Sequence, residues 1–217
     1  MKDYPKILGP YDAPWGEKCV AFNKLDGSNI RFEWNPKRGW YKFGTRRHLI
    51  DRNDPEYGSA IDIFINKYGE SIEKMMRDNY PKCEAVIAYG EFFGPHSIGG
   101  YHDDNWLKDA GLIEKDQSNS PKDVVLFDVN PYKQCFLSPW QFLEYFSHLH
   151  IPEVIYEGEL TEEFIQAVRH GEYPNLIEGV VCKGGEKHKL WMRKAKTFTY
   201  LRKIQEIFGT GWGAFWE

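Results

Sequence analysis

The stretch IEGVVCKGGEKHKLWMRKAK, residues 177–196, predicts a β-hairpin. Two runs of strand length, rich in apolar and β-branched or aromatic residues, lie on either side of a Gly-Gly-Glu turn. The strands are expected at 177–183 and 189–196. Such a hairpin indicates an antiparallel sheet, and its unusual content of charged residues within the strands makes it the first candidate for a functional site.

The alternation of side chains along the two strands assigns each of these charged residues to one face of the sheet. Glu178 is expected on one face of its strand together with Val180 and Cys182, while Lys194 and Lys196 share one face of the next strand. Lysines neutralise phosphate oxygens, and carboxylates hold Mg²⁺ directly or through water. The hairpin therefore suits a triphosphate with its bound cation, although a half-exposed hairpin whose charges only face solvent has the same pattern.

A second hairpin is predicted around KLDGSN, residues 24–29. Strands at 20–24 and 30–34 flank a turn formed by Asp-Gly-Ser-Asn. Lys24 and Asp26 are two residues apart, so they project from the same side of the strand end. A lysine becomes a nucleophile when burial or cationic neighbours favour its neutral form. An exposed hairpin with an ordinary lysine explains these six residues equally well.

Three further motifs each place one candidate residue at or near a strand end. Glu91 lies in an apolar strand between glycines that let a ligand approach closely. Phe127 ends another apolar run, where it either packs in the core or stacks on a base. Arg46 follows a strand, from which an arginine reaches a phosphate, although exposed arginines there are common.

The remaining pattern predicts an α+β chain. Further strands are expected at 40–45, 86–93 and 124–129, and helices at about 57–78, from 138, at 161–171 and at about 198–208. Antiparallel strand pairs with helices packed outside them fit this order. The polar segment 96–122 predicts a long loop or an insertion.

Composition restricts the class of protein. The chain has 217 residues, 41% of them hydrophobic, which is enough for a sizeable core and excludes disorder. No apolar run approaches the length of a membrane span, and the first residues lack a signal peptide, so a cytoplasmic location is expected. The net charge of −4 argues against a sequence-blind nucleic-acid coat but allows a local basic groove. Four widely spaced cysteines are expected to be free, without a zinc site.

The order of the motifs carries more information than any one of them. In sequence they are Lys24-x-Asp26-Gly27, Thr45-Arg46, Gly90-Glu91, Phe127-Asp128, Glu178-Gly179-Val180 and Lys194-x-Lys196. This series resembles the covalent nucleotidyltransferase superfamily of ATP-dependent DNA ligases, RNA ligases and capping enzymes. It is most similar to RNA ligases of the RNA ligase 2 type. The resemblance implies an α+β nucleotidyltransferase domain of ATP-grasp-like architecture, with antiparallel sheets flanked by helices and ATP in a groove between them.

The resemblance also implies catalytic roles. Lys24 would attack the α-phosphate of ATP, expel pyrophosphate and hold AMP as a lysyl phosphoramidate. Lys194 and Lys196 would neutralise the charge on the α-phosphate. Glu178 would bind the catalytic metal, Mg²⁺ with Mn²⁺ as an alternative, and Glu91 is the second candidate metal ligand. The activity implied is the joining of a 3′-hydroxyl to a 5′-phosphate of RNA.

Other matching positions are implied to bind the nucleotide. Phe127 would stack on adenine, Glu91 would bind the ribose, and Arg46, with Arg47 as the substitute, would contact a phosphate. Asp26 and Asn29 would position Lys24 and the waters of the metal. The full nucleotide-binding set is Asn23, Lys24, Leu25, Asp26, Asn29, Arg46, Glu91, Phe127, Glu178, Lys194 and Lys196.

Two departures from the family pattern keep alternatives open. Asp26 stands where RNA ligases of this type commonly carry His, and Asp is the residue of DNA ligases and capping enzymes. The chain ends about twenty residues after Lys196, so we expect a single adenylyltransferase domain over 1–217 without a separate C-terminal domain. The insertion around 95–122, the aromatic tail 212–216 or a partner protein would then grip the RNA ends or nicked duplex.

Three other functions fit the same residues. A minimal ATP-dependent DNA ligase and a GTP-using guanylyltransferase share the chemistry, and an inactive nucleic-acid-binding module would keep only the fold. The intact Lys24, Glu178, Lys194 and Lys196 argue against the inactive module. Size and resemblance predict a small repair enzyme of the cytoplasm or of a phage or virus.

Overall fold

The computed structural model describes residues 3–93, 122–176 and 178–215. The described residues form two compact units. The first lies within Met1–Tyr4, Asp26–Leu137 and Phe142–Ile151, and the second within Pro5–Leu25, Ser138–Gln141 and Pro152–Glu217. The expectation of one adenylyltransferase domain over 1–217 stays a prediction.

Strands and helices alternate along the chain as an α+β protein requires. The strands are β1 (Lys18–Lys24), β2 (Ser28–Asn35), β3 (Gly39–Gly44), β4 (Leu49–Ile50), β5 (Val86–Phe93), β6 (Asp123–Pro131), β7 (Val154–Glu159), β8 (Gly179–Gly184) and β9 (Trp191–Lys196). The helices are α1 (Gly58–Phe64), α2 (Glu70–Asn79), α3 (Pro139–Phe146), α4 (Glu162–His170) and α5 (Phe198–Phe208). The α+β prediction is confirmed, and among the described residues no helix is long and apolar enough to cross a bilayer.

The first unit is built on a five-stranded antiparallel sheet of order β4-β3-β2-β5-β6. A π-helical turn, Ile65–Gly69, joins α1 to α2, so the predicted helical stretch 57–78 is one interrupted helix. Phe64 of α1 stacks on Phe32 of β2 at 3.7 Å between ring centroids. Since Phe32, Phe64 and Tyr68 are almost fully buried, this helix covers the apolar face of the sheet.

The second unit is built on a four-stranded antiparallel sheet of order β7-β1-β8-β9. One face of it packs on α4 through a buried cluster that includes Ala21, Val180, Cys182 and Phe164. Thr161 accepts a hydrogen bond from the Phe164 N–H and caps α4, as its sequence pattern predicts. The residues that alternate with these along the same strands point to the opposite face of the sheet.

Several details differ from the sequence-based expectations. β7 and the two-residue β4 were not predicted; β7 is an edge strand with two glutamates and a glycine, so it lacks the apolar alternation of a half-buried strand. The loop or insertion expected at 96–122 lies, except for Lys122, outside the described residues. All four cysteines are free, and Cys19 and Cys182 are buried.

Gly179 is the position where the second sheet depends on a glycine. It pairs with both Lys24 and Lys196, and its φ is +154°. A Cβ there would lie 2.0 Å from the carbonyl oxygen of Ala195 and 2.7 Å from the Cα of Lys196. The close approach of β8 to β9 is therefore available only to glycine.

We predict that Gly179→Ala destabilises the protein much more than Gly171→Ala. Gly171 also has a positive φ, +72°, but a Cβ added there would meet nothing within 4 Å. Gly171→Ala should therefore lose only the backbone strain, about 1 kcal/mol of the free energy of unfolding. Gly179→Ala adds a backbone clash and is expected to lose about 3 kcal/mol or more in urea unfolding. Equal losses in the two variants would contradict this account of β8.

Candidate active site

The side chains of Lys24, Glu178 and Lys196 meet at one end of the second sheet. Lys24 Nζ donates to Glu178 Oε2, and Lys196 Nζ donates to Glu178 Oε1 at 2.6 Å. The carboxylate is buried, as is Lys196, whereas Lys24 keeps 23% of its side chain exposed. The buried carboxylate is therefore shared by two ammonium groups, of which only the Lys24 group is appreciably open to solvent.

Strand register explains how three distant residues come together. Lys24 ends β1 and pairs with Gly179, which pairs in turn with Lys196 of β9. Two backbone bonds fix Glu178 beside them, since its N–H donates to the Lys24 carbonyl and its carbonyl accepts from the Thr197 N–H. The three side chains thus sit on neighbouring strands of one rigid sheet.

The structure corrects the predicted face of Glu178. Val180 and Cys182 do face the apolar core, but the Glu178 side chain reaches the lysines of the opposite face. Glu178 immediately precedes β8, and the backbone of Gly179, with its positive φ, interrupts the alternation there. Simple alternation therefore fails at the residue on which the site depends.

Electrostatics keep the Glu178 carboxylate ionised. Burial alone would raise the pKa of Glu178, but the ammonium groups of Lys24 and Lys196, with their hydrogen bonds, hold it below its ordinary value. The site is thus a fixed negative charge between two positive ones. Perturbed carboxylates with specific charged partners are typical of functional sites as well as of structural ion pairs.

Two more lysines lie on the same face of this sheet. Lys194 pairs with Val181, two residues along from the Gly179–Lys196 pair, which gives it the side-chain direction of Lys196, as predicted. Lys183 has the same parity on β8 and is buried, with Nζ 5.5 Å from the centre of the Phe22 ring. Sequence reasoning missed Lys183; counting alternation from Gly179 instead of Glu178 would have found it.

Asn23 and Leu25 flank the candidate nucleophile in the second unit. Asn23 is buried, and its Nδ2 donates to the carbonyl oxygen of Asn175 at 2.7 Å, so this amide is held by the loop before β8. Leu25 is half-buried directly after the strand. Both predicted residues therefore lie beside Lys24 in the chain, and Asn23 is rigidly fixed.

In the first unit, the turn after Lys24 meets the strand that carries Glu91. Asn29 of β2 pairs directly with Glu91 of β5. A Cβ on Gly27 would lie 2.5 Å from the Phe92 carbonyl oxygen and 3.0 Å from Glu91 Cγ, so only glycine lets this turn lie against β5. Asp26 is buried beside it in the sequence. The structure thus brings Asn29, Glu91 and the Asp26-Gly27 turn together.

Phe127 lies at a β-bulge. Tyr89 pairs with Asp128 and Gly90 pairs with Leu126, so Phe127 is an extra residue without a partner on β5. Bulges redirect a side chain and are frequent next to active sites. Phe127 stays half-exposed while the neighbouring apolar residues of β6 are buried. This geometry favours a stacking platform over an ordinary core position.

Tyr4 supports that platform, and sequence reasoning did not identify it. Its ring packs edge-on against Phe127, with centroids 5.1 Å apart, and its hydroxyl donates to Asp128 Oδ2 at 2.8 Å. Burial first, and then the Asp128 carboxylate, raise the pKa of Tyr4 well above its ordinary value. Asp3 pairs with the buried Arg31 and holds this segment in place. A single tyrosine outside any periodic element carries no sequence signal for such a role.

Arg46, the predicted phosphate contact, is an exposed residue of the first unit. It follows β3 in a turn where the Thr45 hydroxyl accepts from the N–H groups of Arg47 and His48 at 3.2 Å. Both Arg46 and Arg47 are exposed, and Arg46 makes no hydrogen bond or ion pair with a described residue. Within 3–93, 122–176 and 178–215, no group of three or more His, Cys, Asp or Glu side chains forms a metal cluster.

A family model described as RNA ligase matches residues 17–196, most of the chain. The chain belongs to the RNA ligase family. The match contains every residue of the Lys24–Glu178–Lys196 cluster and all the other predicted site positions. No curated protein matches this chain.

Solved ligase structures share its fold. A Naegleria gruberi RNA ligase variant with ATP and Mn is 17% identical over 94% of this chain, with a TM-score of 0.60. An archaeal ATP-dependent RNA ligase is 15% identical over 96%, with a TM-score of 0.57, and a putative ATP-dependent DNA ligase from Aquifex aeolicus is 16% identical over 94%, with a TM-score of 0.53. The chain spans 58%, 52% and 52% of these proteins, respectively. The predicted nucleotidyltransferase fold is confirmed.

We predict that Glu178 makes stability depend on pH in the acid range. Because its pKa is lowered on folding from an ordinary value of 4.5, its contribution is complete above that value and is lost as the pH falls through the folded pKa. Glu178→Gln should lower the free energy of unfolding by about 3 kcal/mol near neutral pH, since the buried ammonium of Lys196 and the partly exposed one of Lys24 lose their counter-charge.

The measurement is urea unfolding of the wild type and of Glu178→Gln from about pH 7 to about pH 3.5. The difference between their free energies of unfolding should be constant down to about pH 5 and then become smaller. Glu84→Gln, at an exposed loop position, is the control and should follow the wild type throughout. A gap that stays constant to the lowest pH would contradict the lowered pKa of Glu178.

Proposed function

We propose that this chain is an ATP-dependent RNA ligase that joins 3′-hydroxyl and 5′-phosphate ends through a lysyl-AMP intermediate. The observation that carries the proposal is the position of Lys24 Nζ, held on the buried Glu178 carboxylate with Lys196 on its other oxygen. Membership of the RNA ligase family and the ATP and Mn of the Naegleria structure support it.

In the first step Lys24 would attack the α-phosphorus of ATP. A bond forms between Nζ and phosphorus, the bond to the bridging oxygen breaks, and pyrophosphate leaves with its electron pair. The attacking amine must be neutral, whereas a lysine against an ionised carboxylate is held as ammonium. Loss of its proton therefore requires the charge of Glu178 to be engaged elsewhere when ATP is bound.

Glu178 would engage a divalent cation, Mg²⁺ or Mn²⁺, directly or through water. Its chemistry fits: a buried, ionised carboxylate is the donor that hard cations accept, and substrate phosphate oxygens complete such sets. When bound, the cation supplies positive charge that stabilises the phosphate oxygens and favours the neutral amine. Glu91, half-buried on β5, is the second proposed ligand.

Three lysines would stabilise charge that develops on the phosphate. Lys196 is buried and fixed by Glu178, so it is preorganised and needs no rearrangement to face an oxyanion. Lys194 lies two residues away on the same face, and Lys183 shares that face on the next strand. Preorganised cations of this kind supply most of what phosphoryl transfer requires.

The first unit would bind the nucleoside. Phe127, redirected by its bulge, would stack on adenine, and Glu91 would accept from a ribose hydroxyl. Asn29 and Asp26 would orient Lys24 and the metal-bound waters, and Asn23 would read the edge of the base. Arg46, exposed after β3, would contact a phosphate of AMP or of the RNA end.

The later steps would pass AMP to the 5′-phosphate and then join the ends. The RNA phosphate oxygen attacks the phosphoramidate and frees Lys24; the 3′-hydroxyl then attacks the activated 5′-phosphate and AMP leaves. A DNA ligase is the second candidate, because Asp26 is the residue of DNA ligases and the Aquifex protein shares the fold. A cytoplasmic or phage setting and a partner protein that grips the substrate are further proposals.

The test is incubation with ATP and Mg²⁺ followed by intact mass and peptide mapping of the adduct. Wild type should gain one AMP on Lys24. Lys24→Ala and Lys24→Arg should gain none, because neither side chain supplies a neutral amine, while Lys18→Ala, at the exposed start of the same strand, should match wild type. Lys196→Ala should slow adduct formation by about 100-fold or more.

Each alternative has its own outcome. An adduct with GTP in place of ATP would make the chain a guanylyltransferase, and sealing of DNA but not RNA nicks would make it a DNA ligase. No adduct with either nucleotide, in protein free of bound AMP, would contradict the proposal and favour a binding module.

A further inference from the structure

The hairpin that carries the candidate active-site lysines ends in a basic tip, defined here as residues 187–189. Lys187, His188 and Lys189 form a short 3₁₀ turn between β8 and β9, and all three are exposed. Residues 183–196 hold six lysines and arginines and one acid, while the whole chain carries a net charge of −4. Positive charge is therefore concentrated on this hairpin in an otherwise acidic protein.

The basic tip is built on a rigid base. Gly185 has a φ of +71°, and a Cβ there would lie 2.2 Å from the Lys189 carbonyl oxygen, so the turn is as tight as glycine allows. The Trp191 indole lies over Gly184 and donates from Nε1 to Glu17 Oε2 at 2.8 Å. The lysines of the tip thus stand on a fixed backbone, which lowers the entropy lost when they bind a partner.

The backbone at Lys187 supports a binding role. Its φ is +53°, a left-handed conformation that costs a lysine about 1 kcal/mol and that glycine or asparagine would adopt more easily. Backbone outliers of this kind tend to occur at functional sites. The turn therefore carries a lysine at a position where glycine or asparagine would cost less.

Lys187 and Lys189, the two lysines of the tip, form no ion pair with the described part of the chain. No carboxylate of a described residue lies within salt-bridge distance of Lys187 or Lys189. Elsewhere, Lys74 pairs with Asp78 at 2.5 Å and Lys67 pairs with Asp123 at 2.6 Å. The two tip lysines are therefore available to an external anion.

The tip is connected to the reaction centre by the strands themselves. β8 runs from Gly179, beside Lys24 and Lys196, to Gly184 at the base of the tip, a span of about 17 Å at 3.4 Å per residue. That length corresponds to about five phosphate spacings of one nucleic-acid strand. A polynucleotide whose end reacts at Lys24 is long enough to reach the tip on the same sheet.

We propose that Lys187 and Lys189 bind the phosphodiester backbone of the RNA substrate away from the reacting end. This inference rests on the proposed function and extends it to substrate grip. The contact is sequence-independent, because lysines on phosphates carry no base information. It acts on RNA binding and not on the reaction of ATP with Lys24.

The test compares Lys187→Glu/Lys189→Glu with Lys37→Glu/Lys82→Glu, an equal charge change at exposed turns of the other unit. The probe is a labelled nicked RNA duplex with a 5′-phosphate, titrated by fluorescence anisotropy at several salt concentrations. The tip variant should bind about tenfold more weakly at low salt, and the slope of log affinity against log salt should fall by about two. Lysyl-AMP formation without RNA should match wild type in both variants.

Several results would overturn the inference. The first is that the tip variant has the affinity and salt slope of the wild type. The second is that its loss of RNA affinity is no greater than that of the control variant. The third is that the wild type does not bind the duplex at low salt. A DNA duplex of the same length serves as a second arm, and a loss confined to DNA would assign the tip to a DNA substrate and also overturn it. Absence of the AMP adduct in wild type would instead reject the proposed function, independently of the binding data.

Discussion

The buried carboxylate of Glu178, shared between the ammonium groups of Lys24 and Lys196, is the interaction on which the candidate site depends. It joins the ends of three strands, and Lys24 and Glu178 are 154 positions apart in the sequence. An ionised carboxylate in this position requires both positive partners, since burial by itself would favour the protonated acid. The same pairing therefore holds the candidate nucleophile, Lys24, in place.

This arrangement links stability to chemistry. A lysine paired with a carboxylate is a poor nucleophile, so the proposed reaction would require the charge of Glu178 to be drawn to another cation when ATP binds. Lys196, on the other oxygen of Glu178, would keep the carboxylate oriented during that exchange. Gly179 makes the geometry possible, because only glycine lets β8 approach β9 at the point where Lys24, Glu178 and Lys196 converge. Nucleotide specificity, in contrast, is expected to depend on the first unit, where a bulge redirects Phe127 and Tyr4 supports its ring.

Local sequence patterns predicted the strands and helices with strong periodicity, including β8, β9 and α4. They did not predict β7, whose glutamates and glycine resemble a loop, because edge strands gain their stability from a neighbour and not from alternation. The ion pair of Lys24 with Glu178 is not contained in any local pattern; the order of short motifs along the chain indicated only that the two residues belong to one site. The prediction for the face of Glu178 was wrong, and Lys183 was missed, for the same reason. The alternation of side chains was counted through Gly179, where the backbone interrupts it.

The most direct test of the account is a chase of the isolated adenylylated protein with a nicked, 5′-phosphorylated RNA duplex in the absence of ATP. AMP should leave Lys24, the protein should return to its unmodified mass, and sealed RNA should form in an amount no greater than the adduct consumed. An adduct that persists on Lys24 while no RNA is sealed, under conditions where the duplex is bound, would contradict the claim that this cluster is the centre of an RNA ligase.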